Sequence, residues 1–135
     1  MPKKFPLESE AFNPFGALIG LNFSKCAKGY SRCALEVAEK LLNPHRVLHG
    51  GVVYSLADTG MGAALYSDLD EDELCATVEI KIAYFAAVTS GTLTCETKVV
   101  HRTKRIAFLE SQIKNDGRLT AKAMGTFSVS KVKGD

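Results

Sequence analysis

One segment limits the architectures open to this chain. From Leu48 the sequence reads Leu48-His49-Gly50-Gly51-Val52-Val53-Tyr54-Ser55-Leu56-Ala57-Asp58, a His-Gly-Gly turn that opens a mostly apolar helical segment with one carboxylate inside it. Val53, Leu56, Ala57, Met61, Ala64 and Leu65 recur at helical spacing, which predicts a helix from the glycines to about Tyr66. Gly60 and Gly62 lie within it, and each costs about 1 kcal/mol relative to Ala in an exposed helix interior. Close approach by a neighbouring backbone or helix is the return expected for that cost. The rest of the chain reads as strand. Residues 21–27 and 30–38 alternate around Lys28-Gly29 and predict a hairpin. Residues 75–88 and 91–102 are separated by Thr89-Ser90-Gly91, and residues 105–114 and 118–132 flank Asn115-Asp116-Gly117, a strong hairpin signal. A short helix is expected within residues 7–20, anchored by Phe12, Phe15, Leu18 and Ile19, and residues 41–48 read as a loop. Two strands, one long helix and four strands predict an α+β layer architecture, with the helix on one face of an antiparallel sheet.

At 135 residues the chain is long enough for one domain, 1–135, and too short for two ordinary ones. A formal charge of +2 argues against a broad nucleic-acid surface. No apolar run is long enough to span a bilayer, and the basic N-terminus lacks the hydrophobic region of a signal peptide. Cys26, Cys33, Cys75 and Cys95 form no C-x-x-C pair. A two-residue turn at Lys28-Gly29 sets Cys26 opposite Ser31 and Cys33 opposite Ser24, so no disulfide is expected there. Reduced thiols point to a cytoplasmic protein. No His, Cys and carboxylate cluster has metal-ligand spacing, so no metal is expected. The acidic run 68–73 reads as a solvated loop.

The chemistry resides in the helix. Adjacent glycines let a ligand approach exposed backbone N–H groups at the positive end of the helix, which suits a developing oxyanion. Asp58 is costly to bury and therefore needs a reason, either ionised catalysis or a hydrogen bond across an interface. It lies eight residues beyond Gly50, ~12 Å along the axis. Reacting atoms must meet within ~3–3.5 Å, so the two cannot serve one carbonyl within one chain. If both act on one group, the site is shared between two copies of the chain. His49 reads as a general base or as an anchor of the turn through a neutral imidazole. Ser55 lacks a G-x-S-x-G elbow, and the glycine pair is not a phosphate loop. Tyr54, Met61, Tyr84 and Phe85 are either core or pocket wall. His101, Arg102, Lys104 and Arg105, with Lys131 and Lys133, form the densest basic cluster.

These residues resemble a known family. Asn43, six positions before His49-Gly50-Gly51, the Leu56-Ala57-Asp58 step and Ala76-Thr77-Val78-Glu79-Ile80 are similar to the hotdog-fold acyl-CoA thioesterases, specifically the phenylacetate-degradation (PaaI-like) branch. The resemblance spans residues 15–132 and includes Asn115-Asp116-Gly117-Arg118-Leu119 and Ala123-Met124-Gly125-Thr126-Phe127. It implies a hotdog fold, with the sheet wrapped around the central helix and subunits pairing into a homodimer or a dimer of dimers. The implied reaction is hydrolysis of an acyl-CoA thioester, aromatic or short/medium-chain. Asp58 would be nucleophile or general base, Gly50 N–H the oxyanion donor, and Asn43 and Thr77 the orienting groups, with His49 shaping the turn. Coenzyme A is then part of the substrate and no cofactor is implied. Arg102, Lys104 and Arg105 suit its phosphates, or form a solvated strand end. Relatives often place a glycine in the bend that here reads Arg102-Thr103-Lys104-Arg105. Two rival functions on the same fold are a non-catalytic acyl-CoA-binding module and a hydratase or dehydratase.

Overall fold

A computed structural model describes residues 3–7 and 12–132. The elements are α1 (Pro14–Ile19), β1 (Leu21–Ala27), β2 (Tyr30–Glu36), a 3-10 turn (Glu39–Leu41), α2 (Gly50–Tyr66), β3 (Glu73–Tyr84), β4 (Thr92–Arg102), β5 (Ile106–Asn115) and β6 (Arg118–Lys131). The six strands form one antiparallel sheet in the order β1-β2-β4-β5-β6-β3, and α2 packs against it. Both predicted two-residue turns form. Lys28-Gly29 and Asp116-Gly117 have positive φ throughout, as a hairpin turn matching strand twist requires.

The helical periodicity points at the sheet. Val53, Leu56, Ala57, Met61, Ala64 and Leu65 are all buried, and burying each large one stabilises the fold by ~1.5–3 kcal/mol. Gly60 is the closest point of approach to the sheet. A Cβ there would sit 3.0 Å from Thr97 Oγ1 and 3.4 Å from Cys95 Sγ, and the Gly60 carbonyl accepts a 2.6 Å hydrogen bond from Ser31. Gly62 has open space where a Cβ would go, so the expectation of close approach holds for Gly60 and not for Gly62.

Three local expectations need correction. A register shift between Phe23 and Lys25 sets Cys33 opposite Phe23 rather than Ser24. Across the sheet Cys33 faces Cys95, and all four thiols are free. The acidic run is not simply solvated: Leu69 and Glu73 are buried, and Glu73 opens β3. β3 ends at Tyr84 rather than Val88, because Phe85 N–H turns to the Thr120 carbonyl and the following residues cross toward the His-Gly-Gly turn. The β4–β5 bend forms without a glycine. Thr103 N–H donates to the Ile106 carbonyl, and the Thr103 hydroxyl accepts from the N–H groups of Arg105 and Ile106.

β3 is an edge strand. It pairs with β6 along one side, and among the described residues its other side pairs with nothing. Leu74, Val78 and Tyr84 on it are at least half exposed. A twelve-residue unprotected edge is a ready template for another strand. No helix among the described residues is long and apolar enough to cross a membrane.

Candidate active site

His49 is the N-cap of α2. Its Nδ1 accepts a 2.8 Å hydrogen bond from Gly51 N–H, which requires the tautomer with the proton on Nε2. Its carbonyl accepts from Val52 N–H at 2.9 Å, and its own N–H donates to the Leu41 carbonyl. Leu48 N–H donates to the Val88 carbonyl, so the turn is held from both flanking loops. This accounts for Gly51. A Cβ there would lie 2.8 Å from His49 Nδ1, whereas one on Gly50 would lie 3.4 Å from the Tyr84 hydroxyl, an ordinary contact. With Gly51 and Val52 N–H engaged, Gly50 N–H has no acceptor among the described residues. It is a free donor at the positive end of a 17-residue helix.

Asp58 is half-buried, and its Oδ1 accepts a 2.7 Å hydrogen bond from the Thr77 hydroxyl on β3. That bond fixes the carboxylate beside the unpaired edge. Asn43 spends its side-chain oxygen on its own loop, accepting from His45 N–H at 2.8 Å and Val47 N–H at 3.3 Å. Its amide NH₂ has no acceptor among the described residues. The isolated Leu42–Leu48 bridge ties this loop to the start of α2. The structure therefore unites Asp58 with Thr77, and His49 with Gly50 and the Asn43 loop. The two groups remain eight residues apart on one helix, ~12 Å.

Beside Gly50 lies a groove of about 280 Å³ walled by Leu48, Val53, Tyr84 and Phe85, among others. The Tyr84 hydroxyl donates to the Gly50 carbonyl at 2.7 Å. Burial, and then the neighbouring Tyr54 phenol, push the Tyr84 phenol above its ordinary pKa, which keeps it a donor. Of the residues offered as core or pocket wall, Met61 is fully buried against Gly125.

The basic cluster divides. Arg102 is already engaged: its guanidinium reaches Glu73 at 3.0 Å and Asp68 at 3.4 Å. Lys104 and Arg105 are exposed and line, with Lys131, a groove of about 440 Å³. Lys131 also pairs with Asp72 at 3.0 Å. Lys133 lies outside the described residues. Glu73 and Lys131 are cross-strand partners at one end of β3, whereas Tyr84, beside Gly50, is at the other. At ~3.3 Å per residue this separates the basic groove from the glycine turn by roughly 30 Å or more within one chain. Two partnerships escaped the sequence reading, Arg102 with Glu73 and Tyr84 with Gly50. They join residues 29 and 34 positions apart, and no local pattern records them. Among the described residues, no three His, Cys, Asp or Glu side chains are grouped to hold a metal ion.

A six-stranded antiparallel sheet around one long helix is the hotdog fold of the thioesterases. The Thioesterase superfamily profile matches residues 45–122, and the chain belongs to that family. The Saccharolobus solfataricus protein SSO1253, which carries the name of an esterase, is 36% identical over 90% of this chain and 79% of its own length. The acyl-coenzyme A thioesterase PaaI of Escherichia coli is 28% identical over 76% of this chain and 71% of its length. Among solved structures, a single-residue variant of the phenylacetic acid degradation protein PaaI of Thermus thermophilus superposes with a TM-score of 0.80 at 25% identity, covering 86% of this chain and 97% of that one. The conserved Pseudomonas aeruginosa protein PA5202 superposes at 0.87 with 32% identity, covering 93% and 100%. Within the superfamily the chain falls in the PaaI-like branch, and it is a thioester hydrolase.

Proposed function

We propose that the protein hydrolyses an acyl-CoA thioester in a site shared between two antiparallel copies. Gly50 N–H of one copy binds the thioester oxygen, and Asp58 of the other, oriented by Thr77, attacks the carbonyl carbon or takes the proton from an attacking water. The observation that carries this reading is the separation of a free helix N-terminal donor from an oriented carboxylate on one helix, beside an unpaired strand edge. Pairing β3 with a second β3 satisfies that edge and reverses the second helix. An antiparallel partner also carries its Lys104 and Arg105 toward the glycine turn, where they suit the phosphates of coenzyme A. Tyr84 and Phe85 present aromatic surface beside Gly50, suited to an aromatic or short/medium acyl group. Coenzyme A leaves as a thiolate whose conjugate thiol has a low pKa (~8.5 for a free Cys), so departure needs little acid help and no cofactor.

The test is thiol release over an acyl-CoA panel. Asp58→Ala lowers kcat by at least ~100-fold with binding retained. Gly50→Pro removes the N–H and adds a Cβ 3.4 Å from the Tyr84 hydroxyl; Pro is accommodated at the first helical position, and His49 already has an extended ψ of 131°. It lowers kcat by ~10²–10³-fold. Mixed dimers of the two inactive variants regain one intact site per dimer, about a quarter of wild-type activity for random assortment in a symmetric pair. No recovery on mixing refutes the shared site.

A further inference from the structure

The proposed oxyanion donor sits at a glycine pair in the first turn of its helix. Two consecutive glycines have more backbone freedom than any other pair, and they occupy the first turn, where intrahelical bonds are missing. Gly50 N–H is preorganised only if both peptide planes flanking Gly50 are fixed. The first plane, His49 C=O with Gly50 N–H, is held by the Val52 N–H donating to the His49 carbonyl at 2.9 Å. In a trans peptide the two groups point opposite ways, so this bond aims Gly50 N–H out of the helix end. The second plane, Gly50 C=O with Gly51 N–H, is held at the nitrogen by His49 Nδ1 and at the oxygen by the Tyr84 hydroxyl at 2.7 Å. His49 is part of the turn itself. Tyr84 is not: it closes β3, in register with Ala121 of β6. Its ring also lies 3.4 Å from where a Gly50 Cβ would be, against the open face of the glycine.

We infer that Tyr84 is a positioning residue that ties the glycine turn to the sheet and so fixes the direction of Gly50 N–H toward the thioester oxygen. The inference rests on the reading of Gly50 as oxyanion donor. In this inference the Tyr84 hydroxyl, already donated to the Gly50 carbonyl, acts through the Gly50 peptide, and that effect grows as charge develops on the substrate oxygen.

The experiment compares wild type, Tyr84→Phe and, as a control that loses a remote hydroxyl bonded to Glu96, Tyr30→Phe. Each is assayed for thiol release. Each is also mixed with the uncleavable acyl-CoA analogue in which methylene replaces sulfur, ¹³C-labelled at the carbonyl, for the infrared stretch of the bound C=O. Tyr84→Phe is expected to lower kcat roughly 10-fold, less than outright loss of a donor, with KM within ~2-fold. The bound carbonyl stretch moves back toward its free value, and Tyr30→Phe matches wild type in both measurements. A Tyr84→Phe protein with wild-type kcat overturns the inference. So does one whose KM rises while the carbonyl stretch stays as in wild type, since Tyr84 is then a groove wall only. Failure of wild type to release thiol overturns the underlying reading and this inference together.

Discussion

Arg102 decides between two uses of a basic residue. In Arg102→Met the methionine keeps much of the stem's packing and removes the guanidinium that bridges Glu73 and Asp68. The Glu73 side chain is 7% exposed, so its carboxylate is left in a poorly solvated position with one remaining bond, from Asp70 N–H at 2.9 Å. Removing one partner of a fully buried pair costs ~3–5 kcal/mol. Arg102 retains 22% exposure, which places this pair at the lower end, ~3 kcal/mol. The Asp68 arm, 40% exposed on the acid side, adds no more than ~1 kcal/mol. For a chain of this size the total corresponds to a fall of ~10 °C in Tm. Urea unfolding of wild type, Arg102→Met, Glu73→Gln and the double variant is expected to give a coupling of ~2 kcal/mol, because Glu73→Gln removes the charge that Arg102→Met strands. The KM for acyl-CoA stays within ~2-fold in Arg102→Met, while Lys104→Ala and Arg105→Ala raise it. An unchanged urea midpoint together with a roughly tenfold rise in KM refutes the reasoning and makes Arg102 a phosphate ligand.

The two helix glycines should respond with opposite signs: Gly60→Ala destabilises by ~1–3 kcal/mol through crowding against Thr97 and Cys95, and Gly62→Ala stabilises by up to ~1 kcal/mol. Equal shifts in their urea midpoints would contradict the packing described. His49→Ala loses the helix cap and ~1 kcal/mol, whereas His49→Asn supplies a side-chain oxygen and keeps most of it; chemical denaturation of the pair separates capping from any role in turnover. Burial pushes the Cys26 thiol from its ordinary 9.0 up to about 11, so it stays protonated below that value. Peptide-mapped alkylation at pH 8 should find Cys26 nearly unreacted, with labelling rising only as pH climbs toward 11; rapid labelling at pH 8 would show an ionised or exposed thiol.

What each segment becomes is written in its own residues. Apolar spacing of 3.6 and of 2, with glycine-bearing turns at Lys28-Gly29 and Asp116-Gly117, specifies one long helix among six strands, because each signal is local and the chain carries it wherever it folds. The same locality makes the glycine turn and the helical Asp58 legible as a donor and an acid too far apart to cooperate within one chain. Who meets whom emerges only on folding. Placing β3 beside β6 at the sheet edge, with β4 and β5 between them in sequence, follows from closing the sheet around α2, and no hairpin signal encodes it. That placement sets Thr77 on Asp58 and Tyr84 on Gly50. It also brings Glu73 under Arg102, so that the guanidinium is paired within the chain. A side chain's face is a property of its own neighbours in sequence. Its partner is a property of the closed sheet, where the burial of a charge or the orientation of a peptide is settled only by what lies across the gap.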